Sequence, residues 1–331
     1  MLKILSCILL AAFSNVAFAT CGSSDGPRPL NVIGDEAAAL LKERNFAKLN
    51  KLAAEYALPQ AFASDGQPKA MGFYAGLTKS NSLCRDEQET DSQWEAHRKL
   101  LADWSAANPN LVAPKIALAE WQTSFAWNAR GGGYASSVTD EGWSLFRKRL
   151  ALSRTQLEKL KPKAAVDPEW YAAMLYVAVG QSWPADQFDK LFAEAVAKYP
   201  YYLNIYFLKG LFYSSKWHGS QEKFKAFVDE TVKATEAKMG QTMYARLNWS
   251  AWEPDMFSSG QADWKRMRTG FENMIADYPD LWNRNNFAKF ACIAQDKEAV
   301  REQFKFVKGH VMKDAWPDVR FYNYCEMLGG Q

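Results

Sequence analysis

The sequence predicts an all-α protein, a tetratricopeptide-like helical-repeat array, and three observations predict it. Asn108-Pro109, Tyr199-Pro200 and Tyr278-Pro279 each close an amphipathic stretch, and each is followed at once by a new aromatic-rich stretch. The segment from Asp167 to Pro200 reads as a complete two-helix unit. Asp167 is placed to cap a helix, Pro168 to open it, Gly180 to interrupt it and Pro184 to restart it. The segment that follows Tyr278 repeats the theme, with Phe287, Phe290, Ala291 and Ala299 at core spacing around a turn at Ala294, Gln295 and Asp296. A unit of this kind buries its apolar face only against the next one, so the class is a stack.

In chain order, residues 1–19 carry one positive charge, at Lys3, an apolar run from Ile4 to Phe13, and small residues Ala17 and Ala19 around Phe18. That is the pattern of a secretory signal cleaved after Ala19, so the mature chain is expected to be exported, with a bacterial periplasm as its expected location. Cys21 stands near the cleavage point, but Phe18 and Thr20 fit a lipid-attachment signal poorly, and plain cleavage is the expectation. No later run approaches the roughly 20 apolar residues of a membrane helix.

Residues 20–110 read as an N-terminal helical region and residues 111–331 as the repeat domain. In the first, Leu40, Leu41, Phe46, Leu49 and Leu52 mark a short helix pair broken at Arg44 and Asn45, and Phe73, Tyr74 and Leu77 mark a further turn or two of helix. A loop from Arg85 to Gln93 leads into a helix through Trp94, Leu100, Leu101 and Trp104. In the second, the glycine-rich loop at 130–138 precedes a helix carrying Trp143, Phe146, Leu150, Leu157 and Leu160. A helix after Pro200 runs to a loop at His218, Gly219 and Ser220, and another follows through Phe224, Phe227, Val228 and Val232. The stretch from Met243 to Trp264 shows no clear period. Each interval between proline marks holds roughly two helix pairs plus an insertion.

A net charge of +3, from 40 basic and 37 acidic residues, argues against a nucleic-acid partner. The clusters Arg147, Lys148, Arg149 and Lys265, Arg266, Arg268 fit solvated helix faces. After cleavage Cys21, Cys84, Cys292 and Cys325 remain. Cys292 with Cys325 is the favoured bridge, because neighbours in an array are neighbours in space; two small buried residues are the competing reading. No CxxC, GxSxG, HExxH or phosphate-loop motif occurs, and His97, His218 and His310 lie far apart, so neither a catalytic residue, a metal nor a cofactor is expected.

Three phrases carry a family resemblance: FAWNARGGGYASSVTDEGWSLF, the helix pair ending at Tyr199-Pro200, and SSKWHGSQEKF. Together they resemble the bacterial domain-of-unknown-function family numbered 4034, through Trp127, Asn128, Ala129, Arg130, Gly131 and through Lys216, Trp217, His218, Gly219, Ser220. The resemblance implies a tetratricopeptide-like domain and supplies no catalytic residue.

The ligand-binding candidates are Trp127, Arg130, Tyr134, Trp217, His218, Trp249 and Trp252. Arg130 offers a guanidinium for a carboxylate, or a cap for the helix that Gly131 ends. His218 sits in a loop among Trp217, Gly219 and Ser220, although Ser220 also suits a helix cap. His97, beside Glu95 and Arg98, reads as exposed. Most of the 13 tryptophans are expected in the core, but Trp249 and Trp252, three apart, place two rings on one side of a helix, where they suit a sugar or a peptide. The favoured function is a protein- or peptide-binding module. The alternative is a polysaccharide-acting enzyme built as a closed toroid, with Glu120, or Glu253 and Asp255, as its acids.

Overall fold

The computed structural model describes residues 28–78, 90–215 and 217–330. Residues 1–19, expected to be an export signal, and Cys21, Cys84 and Lys216 lie outside them. Helices and turns make up the described residues, with a single isolated β-bridge between Phe62 and Pro68. The expected all-α class is what the chain adopts.

Four helices come first: α1 (Pro29–Lys42), α2 (Phe46–Tyr56), α3 (Lys69–Thr78) and α4 (Asp91–Ala107). The predicted break falls between α1 and α2, where Arg44 takes a positive φ of 58° and Asn45 caps α2. The crossing of α1 over α3 depends on glycine. A Cβ on Gly76 would come within 2.0 Å of the Gly34 carbonyl oxygen, and one on Gly72 within 2.6 Å of the Leu30 oxygen. The two backbones therefore touch directly, a contact that the pattern of Phe73, Tyr74 and Leu77 did not disclose.

Five helix pairs follow: α5 (Ala113–Arg130) with α6 (Asp140–Ala164), α7 (Pro168–Gly180) with α8 (Ala185–Lys198), α9 (Leu203–Phe212) with α10 (Gln221–Met239), α11 (Thr242–Ser250) with α12 (Trp264–Asp277), and α13 (Leu281–Ile293) with α14 (Lys297–Val307). α15 (Val319–Gly330) packs on the last pair. Each interval between proline marks does hold two pairs. The first helices touch in sequence, α5 on α7, α7 on α9 and α9 on α11, while each second helix touches its own partner and the first helix of the next pair. Burial follows from that placement. α7 is surrounded, and residues 170–175 are all buried, whereas α8 buries only the stripe of Phe188, Leu191, Phe192 and Ala195.

Capping is supplied where the sequence places it. The Asp167 carboxylate accepts from the Glu169 N–H at 2.9 Å, and Ser220, Asp263, Asp280 and Asp296 accept from the first turns of α10, α12, α13 and α14. Each such cap contributes on the order of 1 kcal/mol. Trp94, Trp104, Trp121, Trp170, Trp282 and Trp316 are buried, and the other tryptophans are half-buried.

The array does not leave its first helices isolated. The loop between α2 and α3 reaches α11 and α13, where the buried Asp65 carbonyl accepts from Arg246 Nη2 at 2.5 Å and from Asn283 Nδ2 at 3.1 Å. Phe62 and Tyr278 add a ring contact at 6.2 Å. At the far end a disulfide joins Cys292 on α13 to Cys325 on α15, with Cα atoms 5.5 Å apart.

Two expectations about side chains differ from what is found. His97 is buried, with Nε2 at 2.6 Å from the Leu77 carbonyl, because it shares the helical stripe of Trp94, Leu101 and Trp104 rather than the face of Glu95 and Arg98. Arg149 is also buried: its guanidinium lies 3.2 Å from the Phe125 ring centroid and donates to the Phe125 carbonyl at 2.8 Å, while Arg147 and Lys148 stay exposed.

Gly76→Ala is expected to destabilise the fold by about 1–3 kcal/mol, since the methyl group meets backbone that has no room to yield; urea unfolding followed by circular dichroism measures it. Reducing the disulfide, or replacing both Cys292 and Cys325 with Ser, is expected to remove roughly 2–4 kcal/mol in the same assay.

Candidate functional site

The C-terminal ends of α5, α7 and α9 meet, and two phrases remote in sequence meet with them. Trp127 on α5 stacks on Tyr176 of α7, with centroids 5.5 Å apart and planes 13° from parallel. Trp217, in the loop after α9, stands edge-on to Trp127 at 5.7 Å. All three rings are half-buried, so each keeps part of its surface open. Trp127 Nε1 and His218 Nε2 have no partner among the described residues. His218 leans on Phe212 at 4.7 Å.

Arg130 closes one side of this cluster. Its guanidinium lies 5.7 Å from the Trp127 centroid and 5.5 Å from that of Trp143, and Nη1 donates to the Gly131 and Gly133 carbonyls at 3.0 and 2.8 Å. Gly131, at φ 73°, ends α5 as a left-handed residue. Arg130 thus fastens the glycine-rich loop rather than standing free for a carboxylate.

The other sequence candidates lie elsewhere. Tyr134 is 73% exposed in the loop that Arg130 fastens. Trp249 ends α11, which stops at Ser250, and Trp252 follows in a turn; both rings nonetheless face Phe290, at 6.4 and 6.2 Å. Trp249 also meets Phe271 and Trp282, so these two half-buried rings belong to the seam between α11 and α13. His310 is exposed on the wall of a cavity of about 950 Å³ between α1, the loop at 62–64 and the start of α13, which none of the other candidates lines.

A second cluster surrounds Glu120, which the sequence offered as a candidate acid without disclosing its partners. Toward the N-terminal ends of the same helices, Glu120 of α5 shares a hydrogen bond with Glu169 of α7. Tyr202 donates its hydroxyl to Glu169, and Asn204 Nδ2 donates to it at 3.2 Å. Beside them the Tyr74 hydroxyl donates to Asp167 at 2.7 Å. Glu120 keeps part of its surface exposed while its carboxyl end is shut in. Burial first, and then the charge of Glu169, raise the Glu120 carboxyl well above its ordinary range, and burial pushes Glu169 up to about 7. Two acids in contact hold one proton between them at neutral pH. The signal was present in the sequence: Glu169 directly precedes the apolar run from Trp170 to Val179, but as a first-turn residue it was accounted for by the helix dipole alone.

Against known proteins, the chain matches no family model, no curated protein and no solved structure. Among the described residues no helix is long and apolar enough to cross a membrane, and no group of His, Cys, Asp and Glu side chains is placed to hold a metal ion.

Glu120 and Glu169 both have folded-state values above the unfolded one, so their contribution to stability is complete below about 4.5 and is lost as the pH rises, through about 7 for Glu169. The thermal midpoint is expected to fall over that interval. Glu120→Gln, whose amide still donates to Glu169, is expected to flatten the fall; calorimetry at half-unit steps from about pH 5 to 7 checks both.

Proposed function

We propose that this protein is an exported helical-repeat module that binds an extended protein or peptide segment. The proposal assigns the binding surface to the cluster of Trp127, Tyr176 and Trp217. One observation carries it: residues 127 and 217, far apart in sequence, converge as half-buried residues on the half-buried Tyr176, forming one aromatic cluster at the ends of α5, α7 and α9. Core rings gain nothing from partial exposure, whereas partly open aromatic residues suit the apolar side chains of a peptide lying across them. Export rests on the leader at 1–19, and a periplasmic location belongs to the same proposal. So does the resemblance to the family numbered 4034, whose two phrases include these rings.

A polysaccharide-acting enzyme is the second reading, and the acid pair favours it. Distance weighs against it. Retaining cleavage needs carboxyl groups about 5–5.5 Å apart and inverting cleavage about 6.5–9.5 Å, whereas Glu120 and Glu169 are within hydrogen-bonding contact.

Tryptophan emission of the mature protein, titrated with a pool of extended Phe-, Tyr- and Leu-containing peptides and separately with peptidoglycan fragments, tests the proposal. A saturable change is expected with peptides, weakened about tenfold or more in Trp217→Ala, as for a buried aromatic anchor. No response to peptides, or a response that Trp217→Ala leaves intact, overturns it.

A further inference from the structure

Where the first helices meet the last, the cavity of about 950 Å³ lies between three walls that are far apart in sequence. The start of α1 supplies Val32 and Ile33, and the loop between α2 and α3 supplies Phe62 and Ser64. The third wall joins Leu281, at the start of α13, to Val311 in the segment after α14. A space of this size is at the upper end of the roughly 300–1,000 Å³ of sites that take a small molecule.

Each wall is held from behind. α1 is locked on α3 at the glycine crossing, and the loop is clasped at the Asp65 carbonyl by Arg246 and Asn283. Asn285, buried in α13, fixes the third wall: its Nδ2 donates to the His310 carbonyl at 3.2 Å, and its Oδ1 accepts from Met312 N at 3.1 Å and Trp316 Nε1 at 2.9 Å. Collapse of a wall into the space would break these bonds. The cavity is therefore preformed, and filling it orders little of the protein.

Its apolar lining stays open to water. Val32 is 49% exposed and Leu281 38%, and Ile33, Phe62 and Val311 are half-buried. The charged residues on the walls are Lys69 and Asp280, one of each sign, and both are engaged with groups that do not line the cavity. The Lys69 ammonium lies 3.8 Å from Glu55 and 5.2 Å from the Tyr56 ring centroid, and Asp280 Oδ1 accepts from the Trp282 N–H at 2.7 Å. Ser64 and His310, both exposed, are the uncharged polar side chains on the walls.

We propose that this cavity binds a small uncharged molecule, its apolar body against Val32, Ile33, Phe62, Leu281 and Val311 and a hydroxyl or amide group at Ser64 and His310. The balance of charge selects for it. A carboxylate entering the cavity would lose water and find no free cation, and an ammonium would compete with the first turn of α13 for Asp280. This site is separate from the cluster at Trp127 and Trp217 and does not depend on the function assigned there.

The test is titration of the mature, folded protein with N-phenyl-1-naphthylamine, an uncharged dye that fluoresces in apolar surroundings. A saturable rise is expected, with one dye bound per chain. 1-Decanol is expected to displace the dye about tenfold or more better than decanoate or decylammonium. Val32→Glu and Leu281→Glu, which each place a carboxylate on an open part of the wall, are expected to weaken dye binding about tenfold or more, whereas Leu152→Glu, on α6 and 48% exposed, is expected to leave it unchanged. The absence of a saturable rise, binding that both wall variants leave intact, or displacement by decanoate or decylammonium as effective as that by decanol overturns the proposal. So does displacement by the peptide pool and not by decanol, which would make the cavity a peptide groove. Titration and displacement on the unaltered chain decide this even if a variant does not fold.

Discussion

A single carbonyl oxygen, that of Asp65, ties the beginning of the chain to its end. It is removed from water and receives donors from Arg246 and Asn283, 181 and 218 residues further on. An unsatisfied buried carbonyl costs on the order of 1–3 kcal/mol, so the loop that carries it is stable only with α11 and α13 in place. Those helices in turn keep Arg246 and Asn283 buried because the loop covers them. The Asp65 side chain completes the arrangement by accepting from the Gln67 N–H at 3.0 Å and its amide at 2.7 Å, which fixes the turn itself.

Stacking explains the rest of the architecture. A helix pair has one apolar stripe too many to bury internally, and the next pair covers it. The first helices form the continuous row, so they are buried on most sides and any polar group they carry must find a partner inside. Glu169 finds Glu120, Tyr202 and Asn204, and Asp167 finds Tyr74 and its own helix cap. Lys289 on α13 finds aromatic faces instead of an acid, and burial brings it down to about 7.

The same row gathers its half-buried aromatic cluster at its C-terminal edge. There the helices end, loops begin, and rings from α5, α7 and the loop after α9 are packed on one side only. Packing from behind holds the half-buried Trp127 against Phe146 at 4.8 Å, which fixes its orientation. Arg130 keeps the glycine-rich loop beside it by binding two carbonyls of that loop.

Local rules made much of this legible in the sequence. Proline marks, capping aspartates and the helical stripes at Phe188, Leu191 and Phe192 determined the class, the pairs and most element ends, because each depends on residues within one or two turns. The favoured positions of Cys292 and Cys325 followed from neighbouring repeats being neighbours in space. What the tertiary structure alone decided lies across long separations: the Gly34, Gly72 and Gly76 crossing, the clasp on Asp65, the contact of Glu120 with Glu169, and the meeting of Trp127 with Trp217. His97 and Arg149 were misjudged for a related reason, since a polar side chain on a helix is read as exposed until the partner that buries it is known. Period and propensity specify which face of a helix is apolar; they do not specify what is laid against it, and burial, protonation and ligand surfaces are properties of that second contact.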